Sequence, residues 1–235
     1  MSLKLINLNY KIKDKVILDS INLDFGNGIH ALLGLNGVGK TSLLNIISTL
    51  NKANSGEILY NNVSIIGNNK PLLKDLGYMS QNVGLIQDFT IEQNLYYFGL
   101  LKGCGSKYLK NKIPFLLEIF NLFSDRKTRA GNLSGGLKQR VGIALALINN
   151  PKILILDEPI NNLDSYEREK LYHILKEISK NCIVIISTHL INDISKFSDK
   201  IIIMTDGKIC FTGKTKQIID EDTTIESLFS FYTKS

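Results

Sequence analysis

The chain has 235 residues, of which 44% are hydrophobic, and its mean hydropathy is +0.04. These values are typical of a globular protein with a sizeable core, and no apolar run reaches the ~18 residues of a membrane-spanning helix. The net charge is +6, but the basic residues are scattered, which favours a solvated surface over a nucleic-acid interface. Three cysteines lie far apart without metal-ligand spacing, which indicates reduced thiols of the kind found in the cytosol. The first residues carry no signal-peptide pattern, so we expect any membrane role to depend on a partner chain.

The beginning of the chain predicts a β-hairpin. Residues 3–10 and 16–25 are β-like runs on either side of Lys13-Asp14-Lys15. Tyr10 lies near this turn, ahead of the glycine-rich segment described next. From its spacing alone, Tyr10 is equally well explained as a half-exposed strand aromatic or as a platform on which a base could stack.

A strand, a glycine-rich loop and a helix are predicted between residues 29 and 47. The apolar run 29–33 leads into residues 34–41, which read GLNGVGKT, and an apolar periodic segment follows. This is the context in which G-x-x-x-x-G-K-[ST] indicates a phosphate-binding loop. Glycines let backbone N–H groups turn towards phosphate oxygens, and the helix N-terminus adds further donors. Lys40 would supply positive charge to the β- and γ-phosphates, and the Thr41 hydroxyl could ligate Mg²⁺. The segment therefore predicts a nucleoside triphosphate site.

Three short strands are predicted after this helix. Residues 56–60 and 63–66 would complete an antiparallel lobe with the N-terminal hairpin. Residues 77–81 would form another strand, which ends on the polar side chain of Gln81.

Residues 82–145 predict helices and no strand, which indicates a helical lobe inserted into an α/β core. Thr90 with Gln93 three residues later forms a possible capping box for one of these helices. Pro114 is expected in the first turn of the next helix, where its missing N–H costs nothing.

A second candidate anion site lies at Ser134, Gly135 and Gly136, which precede another apolar helix pattern. A serine hydroxyl and glycine N–H groups at a helix start can bind a phosphate. Such a helix start is by itself usually only a cap. In a chain with a phosphate-binding loop, it indicates a second contact with the same ligand.

Two buried strands are predicted to end on groups that suit phosphate chemistry. The apolar run 153–156 ends at Asp157 and Glu158, at the edge where sheets of this kind bind ligands. Asp157 suits Mg²⁺, which prefers oxygen ligands, and Glu158 could polarise a water molecule. The apolar run 182–187 ends near His189, which could donate a hydrogen bond to a γ-phosphate.

In this combination the motifs resemble those of ABC-type ATPases, the nucleotide-binding subunits of ATP-binding cassette transporters, over nearly the whole chain to about Phe229. The resemblance implies that the nucleotide contacts are Tyr10 at the adenine, Gly34, Asn36, Gly37, Gly39, Lys40, Thr41 and Ser42 of the Walker A loop, Ser134, Gly135 and Gly136 of the signature motif, and Asp164 of the D-loop. It also implies Thr41, Gln81 and Asp157 as Mg²⁺ ligands. The catalytic residues would be Glu158, His189 and Gln81.

The resemblance implies an α/β P-loop NTPase fold with a RecA-like core sheet, an N-terminal antiparallel β lobe and an inserted α-helical lobe. The whole chain would be one domain. The core and β lobe would cover residues 1–81 and 146–214, the helical lobe residues 82–145, and a short tail residues 215–235.

The resemblance also implies ATP and Mg²⁺ as cofactors and two kinds of protein partner. A second nucleotide-binding subunit, head to tail, would close each ATP site with Ser134, and a separate membrane permease would place the protein on the cytoplasmic face of the membrane. No nucleic acid is expected. Residues 88–95, 99–103 and 225–229 are similar to the single-domain ATPases of drug-resistance and bacteriocin-type exporters, so the cargo would be a peptide, drug or other amphiphile.

Two other interpretations of these motifs are a soluble ATPase outside transport and a P-loop kinase or GTPase. A compact soluble ATPase of the iron–sulfur-assembly type stays open as an alternative, whereas a P-loop kinase or GTPase leaves the Ser-Gly-Gly segment and His189 unexplained.

The sequence departs from the family pattern at three places. Leu35 replaces a common proline, Leu137 replaces a common glutamine, and Asn161-Asn162 replaces a common Ser-Gly. None of these changes removes a group that takes part in the chemistry.

Overall fold

The computed structural model describes residues 1–191, 194–220 and 224–233. In these parts of the chain, no helix is both long enough and apolar enough to cross a membrane. The strands of the described residues are β1 Leu3–Ile12, β2 Lys15–Phe25, β3 Gly28–Leu33, β4 Ser55–Tyr60, β5 Val63–Ser64, β6 Leu76–Met79, β7 Ile153–Asp157, β8 Ile183–Thr188, β9 Lys200–Thr205 and β10 Lys208–Lys214. The α-helices are α1 Lys40–Ile47, α2 Lys70–Asp75, α3 Ile91–Leu101, α4 Ser106–Ile119, α5 Gly135–Ala146, α6 Ser165–Ser179, α7 Ile194–Phe197, α8 Thr215–Asp220 and α9 Ile225–Thr233.

The strands form two sheets. The smaller sheet is antiparallel, in the order β2-β1-β4-β5. The larger has the order β10-β9-β3-β8-β7-β6, and all of its neighbouring strands are parallel except β10, which is antiparallel to β9. The predicted class, an α/β fold with an antiparallel β lobe, is confirmed. Because the parallel strands share one direction, the ends of β3, β7 and β8 meet at one edge of the sheet.

The core lies on both faces of the larger sheet, because successive side chains of a strand point to opposite faces. Leu154 and Leu156 of β7 pack in one apolar cluster, with α3 to α6. Ile153 and Ile155 pack in the other, with α1 and the smaller sheet. A strand buried on both faces needs apolar residues at every position, which explains the continuous apolar run.

Residues 82–145 contain α3, α4 and all of α5 except its last residue, Ala146. The predicted capping box in this segment is confirmed, whereas the predicted position of Pro114 is wrong. The Thr90–Gln93 capping box caps α3: the Gln93 N–H donates to Thr90 Oγ1 over 3.2 Å, and the Thr90 N–H donates to Gln93 Oε1 over 2.9 Å. Pro114 instead lies in the interior of α4, since that helix already begins at Ser106. Proline has no N–H, so Pro114 cannot donate the helical hydrogen bond to the Lys110 carbonyl oxygen. Both residues are exposed, so a water molecule can donate to that carbonyl instead.

Candidate nucleotide-binding site

The glycine-rich loop connects the end of β3 to the start of α1, and its glycines meet two steric demands. Gly37 and Gly39 have φ angles of 84° and 110°, which side chains disfavour. A Cβ atom on Gly34 would lie 2.6 Å from the Met204 carbonyl oxygen, and one on Gly39 would lie 2.9 Å from the Ile17 carbonyl oxygen. The loop is therefore pressed against β9 and β2, in a shape that glycine alone permits.

The Lys40 ammonium group is held inside the loop. Its Nζ donates to the carbonyl oxygens of Gly34 over 2.7 Å and Leu35 over 3.1 Å, and the residue is only 6% exposed. Burial lowers the pKa of Lys40, while the nearby carboxylates of Glu158 and Asp157 oppose that shift. A phosphate would restore favourable electrostatics for this buried cation. The loop therefore presents a fixed positive charge close to the acidic residues that end β7.

Asp157 has the features of a cation ligand. The residue is fully buried, and its Oδ1 accepts a hydrogen bond from Ser187 Oγ. Its Oδ2 is also buried and has no hydrogen-bond partner among the described residues. An unpaired buried carboxylate oxygen is costly unless a cation binds it.

The side chains predicted to bind a cation together with Asp157 carry oxygen atoms that suit Mg²⁺. No group of three or more His, Cys, Asp or Glu residues that could hold a metal occurs in residues 1–191, 194–220 and 224–233. Thr41 is exposed and follows Lys40 in the first turn of α1. Gln81, also exposed, follows β6, whose Met79 pairs with Leu156 of β7. These oxygens, completed by water and phosphate, are the ligands that Mg²⁺ prefers.

Glu158 has an unusual backbone conformation and well-defined partners. Its φ of 51° is left-handed, which is uncommon for a residue that is not glycine and that precedes a proline. Its N–H donates to Ser187, at 2.9 Å to Oγ and 3.2 Å to the carbonyl oxygen. Its Oε2 lies 2.9 Å from Nδ1 of His189. Strained residues of this kind cluster at functional sites, and this one brings a 6% exposed carboxylate to the sheet edge beside Lys40.

Ser134 is placed differently from the other predicted site residues. Its Oγ accepts the Leu137 N–H over 3.3 Å and so caps α5. Ser134 and Gly135 are exposed, and a Cβ on Gly136 would lie 2.8 Å from the Asn162 carbonyl oxygen of the same chain. In the described part of the chain, no hydrogen bond joins this segment to the glycine-rich loop. The second candidate anion site is therefore open to solvent.

The turn before α6 contacts the Ser134 segment through Asn162, and Asp164 ends this turn as the N-cap of α6. Asp164 caps α6 by accepting the Glu167 N–H over 2.8 Å, and a Glu167 carboxylate oxygen accepts the Asp164 N–H over 3.4 Å. Asn162 has a φ of 61°, a conformation that asparagine adopts more readily than other side chains. This explains how an asparagine can stand where a glycine is common.

Tyr10 lies on β1, and its strand neighbour Leu18 separates it from the glycine-rich loop. It pairs with Leu18 of β2, whose Cδ2 would lie 3.0 Å from a Cβ on Gly39. Tyr10 is half-buried against the core, while Asn36 in the loop is exposed and Ser42 on α1 is half-buried. The ring therefore lies where it could border a base bound beyond the loop.

Two residues of the site were missed by the sequence analysis. Ser187 binds both Asp157 and the Glu158 N–H, and Gln139 donates from Nε2 to the Glu158 carbonyl oxygen over 2.8 Å. The available signal was a polar side chain at an otherwise apolar position, on strand β8 and helix α5 respectively.

A large apolar cavity lies elsewhere. It measures about 580 Å³ between α4 and α6, with Phe115, Ile174 and Ile178 among its lining residues, and none of the predicted nucleotide-binding residues borders it. This cavity is therefore separate from the sheet edge, where the phosphate-binding chemistry is concentrated. The chemistry is the better guide here, because triphosphate binding depends on N–H donors and charge rather than apolar enclosure.

Comparisons with known proteins agree with this geometry. The family model for ABC transporters matches residues 18–161. The ABC transporter ATP-binding protein YxlF of Bacillus subtilis is 34% identical over 194 residues, which cover 83% of this chain and 64% of that protein. The Nod factor export ATP-binding protein I of a Rhizobium species is 28% identical over 223 residues, covering 94% of this chain and 73% of that protein.

Solved structures give the same result. A bacterial ABC transporter cassette solved as a dimer matches with a TM-score of 0.84 and 29% identity, covering 91% of this chain and 98% of that chain. A dimeric post-hydrolysis state of the same cassette, bound to ADP and Pi, matches with a TM-score of 0.82. The chain spans less than two thirds of the length of YxlF. From the extent of the family match and the geometry of the sheet edge, this chain belongs to the ABC transporter family, as an ATP-binding cassette domain.

Proposed function

We propose that this chain binds and hydrolyses ATP and that this hydrolysis drives a transporter. The observation that carries the proposal is the arrangement at the sheet edge. There a buried Lys40 lies close to the unpaired Asp157 carboxylate oxygen and to Glu158, which His189 contacts. These are the positive charge, cation ligand and base that phosphoryl transfer to water requires.

The triphosphate would bind along the glycine-rich loop. Backbone N–H groups of Gly37 and Gly39 and the N-terminus of α1 would donate to phosphate oxygens, and Lys40 would bridge the β- and γ-phosphates. Tyr10 would stack on the base. Thr41, Gln81 and Asp157 would hold Mg²⁺, which when bound neutralises charge on the phosphate oxygens.

Glu158 would act as the base in hydrolysis. Its carboxylate accepts a proton from the attacking water, the oxygen of that water bonds to the γ-phosphorus, and the bond to the β–γ bridging oxygen breaks. ADP and phosphate are the products. His189, at 2.9 Å from the carboxylate, would orient Glu158 and donate to the γ-phosphate from its other nitrogen.

A second nucleotide-binding subunit would complete each site. Ser134 and Gly135 are exposed helix-start donors, and among the described residues no hydrogen bond links them to the glycine-rich loop of their own chain. In a head-to-tail dimer, these groups would donate to the γ-phosphate of the ATP bound to the partner subunit. Donors on several sides of the transferring phosphoryl group would stabilise its charge in the transition state. The dimeric state of the similar bacterial cassette supports this arrangement.

The coupled process would be export through a separate membrane permease, which would hold this chain at the cytoplasmic face of the membrane. The relative named as a Nod factor export protein supports the direction of transport. ATP binding would close the dimer, and hydrolysis would open it. The permease would choose the cargo, a peptide, drug or other amphiphile.

The variant Glu158→Gln tests the hydrolytic role. It keeps the size of the side chain but removes the base, so the hydrolysis rate should fall by about 10²- to 10⁴-fold, the range for general-base catalysis. ATP affinity should stay the same, and gel filtration should show an ATP-bound dimer. Glu118→Gln, at an exposed position on α4, is the matched control and should retain full activity. Near-normal hydrolysis by Glu158→Gln would remove the base assignment.

A further inference from the structure

Gln139 is a buried polar side chain on helix α5 that makes one short contact with the proposed base. It is only 5% exposed, and its Nε2 donates to the Glu158 carbonyl oxygen over 2.8 Å. The same helix begins at the exposed Ser134. Gln139 therefore links the helix that carries the open anion site to the residue that would activate water.

The two peptide groups that flank the Glu158 Cα atom are held from different elements. The N–H is fixed by Ser187 at the end of β8, at 2.9 Å to Oγ. The carbonyl oxygen accepts a hydrogen bond from Gln139 on α5 over 2.8 Å. The Asn161 N–H also donates to this oxygen, but over a longer distance of 3.4 Å. Because the orientations of these two peptide planes set φ and ψ, the contacts determine where the Glu158 side chain points.

This conformation requires support. A φ of 51° directly before a proline is costly, and such conformations persist only where the surroundings over-determine them. Among the described residues, loss of the 2.8 Å contact would leave the carbonyl with only the longer Asn161 contact. The peptide could then rotate, and the carboxylate would move away from His189.

Helix α5 is itself fixed against the segment that follows Glu158. A Cβ on Gly136 would lie 2.8 Å from the Asn162 carbonyl oxygen, so the two backbones are in close contact there. Arg140 Nε lies 3.2 Å from Glu167 Oε1 on α6, and both side chains are largely buried. Gln139 therefore acts from a well-defined position.

We propose that Gln139 is a positioning residue for hydrolysis, which holds the Glu158 backbone in its left-handed conformation and so aims the carboxylate at the attacking water. The inference rests on the proposed function, since it takes Glu158 as the base. The orientation of the Glu158 carboxylate would then depend on helix α5, whose first turn would contact the ATP bound to the partner subunit.

The first test is Gln139→Met, which removes the donor and keeps the length of the side chain. The kcat for ATP hydrolysis should fall by about ten- to a hundredfold, as expected for misplacement of a catalytic group. The Kd for ATP should stay the same, since Gln139 lies outside the proposed nucleotide contacts. The matched control is Gln87→Met, which removes a 2.9 Å bond from Nε2 to the Leu85 carbonyl oxygen elsewhere in the chain. Its kcat should stay at the wild-type value.

Glu158→Gln, measured in parallel, separates the two hypotheses. If the wild-type chain does not hydrolyse ATP, the proposed function fails. If the wild type is active and Glu158→Gln hydrolyses ATP normally, the base assignment fails, and the role of Gln139 fails with it. If Glu158→Gln is inactive but Gln139→Met is as active as Gln87→Met, the role of Gln139 alone is overturned.

The second test is the pH profile of Gln139→Glu, which also serves if the methionine variant does not fold. A protonated glutamic acid can donate to the Glu158 carbonyl, whereas an ionised one cannot. The ratio of its kcat to the wild-type kcat should therefore rise as the pH falls, while the ratio for Gln139→Met stays flat. A merely structural role would lower the melting temperature and leave the kcat ratio of Gln139→Glu independent of pH, which would overturn the proposal.

Discussion

Replacing Tyr10 should weaken ATP binding through the base alone. The ring lies on β1, paired with Leu18, and Leu18 in turn borders Gly39 of the glycine-rich loop. Stacking of a base on an aromatic side chain contributes about 1–3 kcal/mol. At about 1.4 kcal/mol per tenfold change, Tyr10→Ala should raise the Kd for ATP by about 5- to 150-fold. Tyr10→Phe should bind almost normally, because no hydrogen bond reaches the Tyr10 hydroxyl in the described part of the chain.

The assay compares two ligands. Titration calorimetry with ATP should show the loss in Tyr10→Ala, whereas inorganic triphosphate, which has no base, should bind to Tyr10→Ala and wild type equally. Lys40→Ala serves as the opposite control, since its ammonium group would contact phosphate and its loss should weaken both ligands. Two results would refute the reasoning. Equal weakening of triphosphate binding would mean that Tyr10 supports the loop through Leu18, and a phenylalanine variant as weak as alanine would rule out stacking.

Two further predictions concern the partner subunit and the core. Lys40→Ala and Ser134→Arg should each be inactive alone. A mixture of the two variants should recover ATPase activity, because one site in each heterodimer is then intact. If heterodimers form but no activity returns, Ser134 does not act on the ATP of the partner subunit. His30 is 5% exposed and its Nε2 lies 2.8 Å from the Gly26 carbonyl oxygen, and burial lowers its pKa below the ordinary 6.5. Because the unfolded chain then binds a proton that the folded chain resists, the free energy of unfolding should fall as the pH drops below about 6.5. Urea unfolding at two pH values should show a smaller decrease in His30→Gln, and an equal decrease would exclude His30 as the cause.

Local sequence patterns determined much of the fold because the physics behind them is local. The loop from Gly34 to Thr41 could be predicted from spacing, since positive φ angles and close backbone contacts admit glycine alone. The Thr90 capping box was equally predictable, because its hydrogen bonds join residues within one helical turn. Continuous apolar runs predicted the buried strands, whose burial on both faces requires them.

Some local predictions were wrong or too broad where the surroundings decided the outcome. Proline is favoured in the first turn of a helix, but α4 begins at Ser106, after the N-cap Gly105, so that Pro114 lies in the helix interior. Residues 63–66 were predicted as a strand, whereas β5 pairs only over Val63–Ser64. The Ile65 N–H still donates to the Ile58 carbonyl oxygen of β4 over 3.0 Å, so the chain follows β4 for one residue beyond β5.

The arrangement around Glu158 was decided by the tertiary structure. The resemblance assigned Glu158 a role, but its left-handed backbone, the Ser187 contacts and the Gln139 contact appear only when β8 and α5 pack against the end of β7. The sequence alone carries which residues are apolar, which turns need glycine and which helices are capped, since each depends on neighbours along the chain. Which polar side chain meets which carbonyl depends on groups 19 and 29 positions apart, and packing of separate elements brings those together.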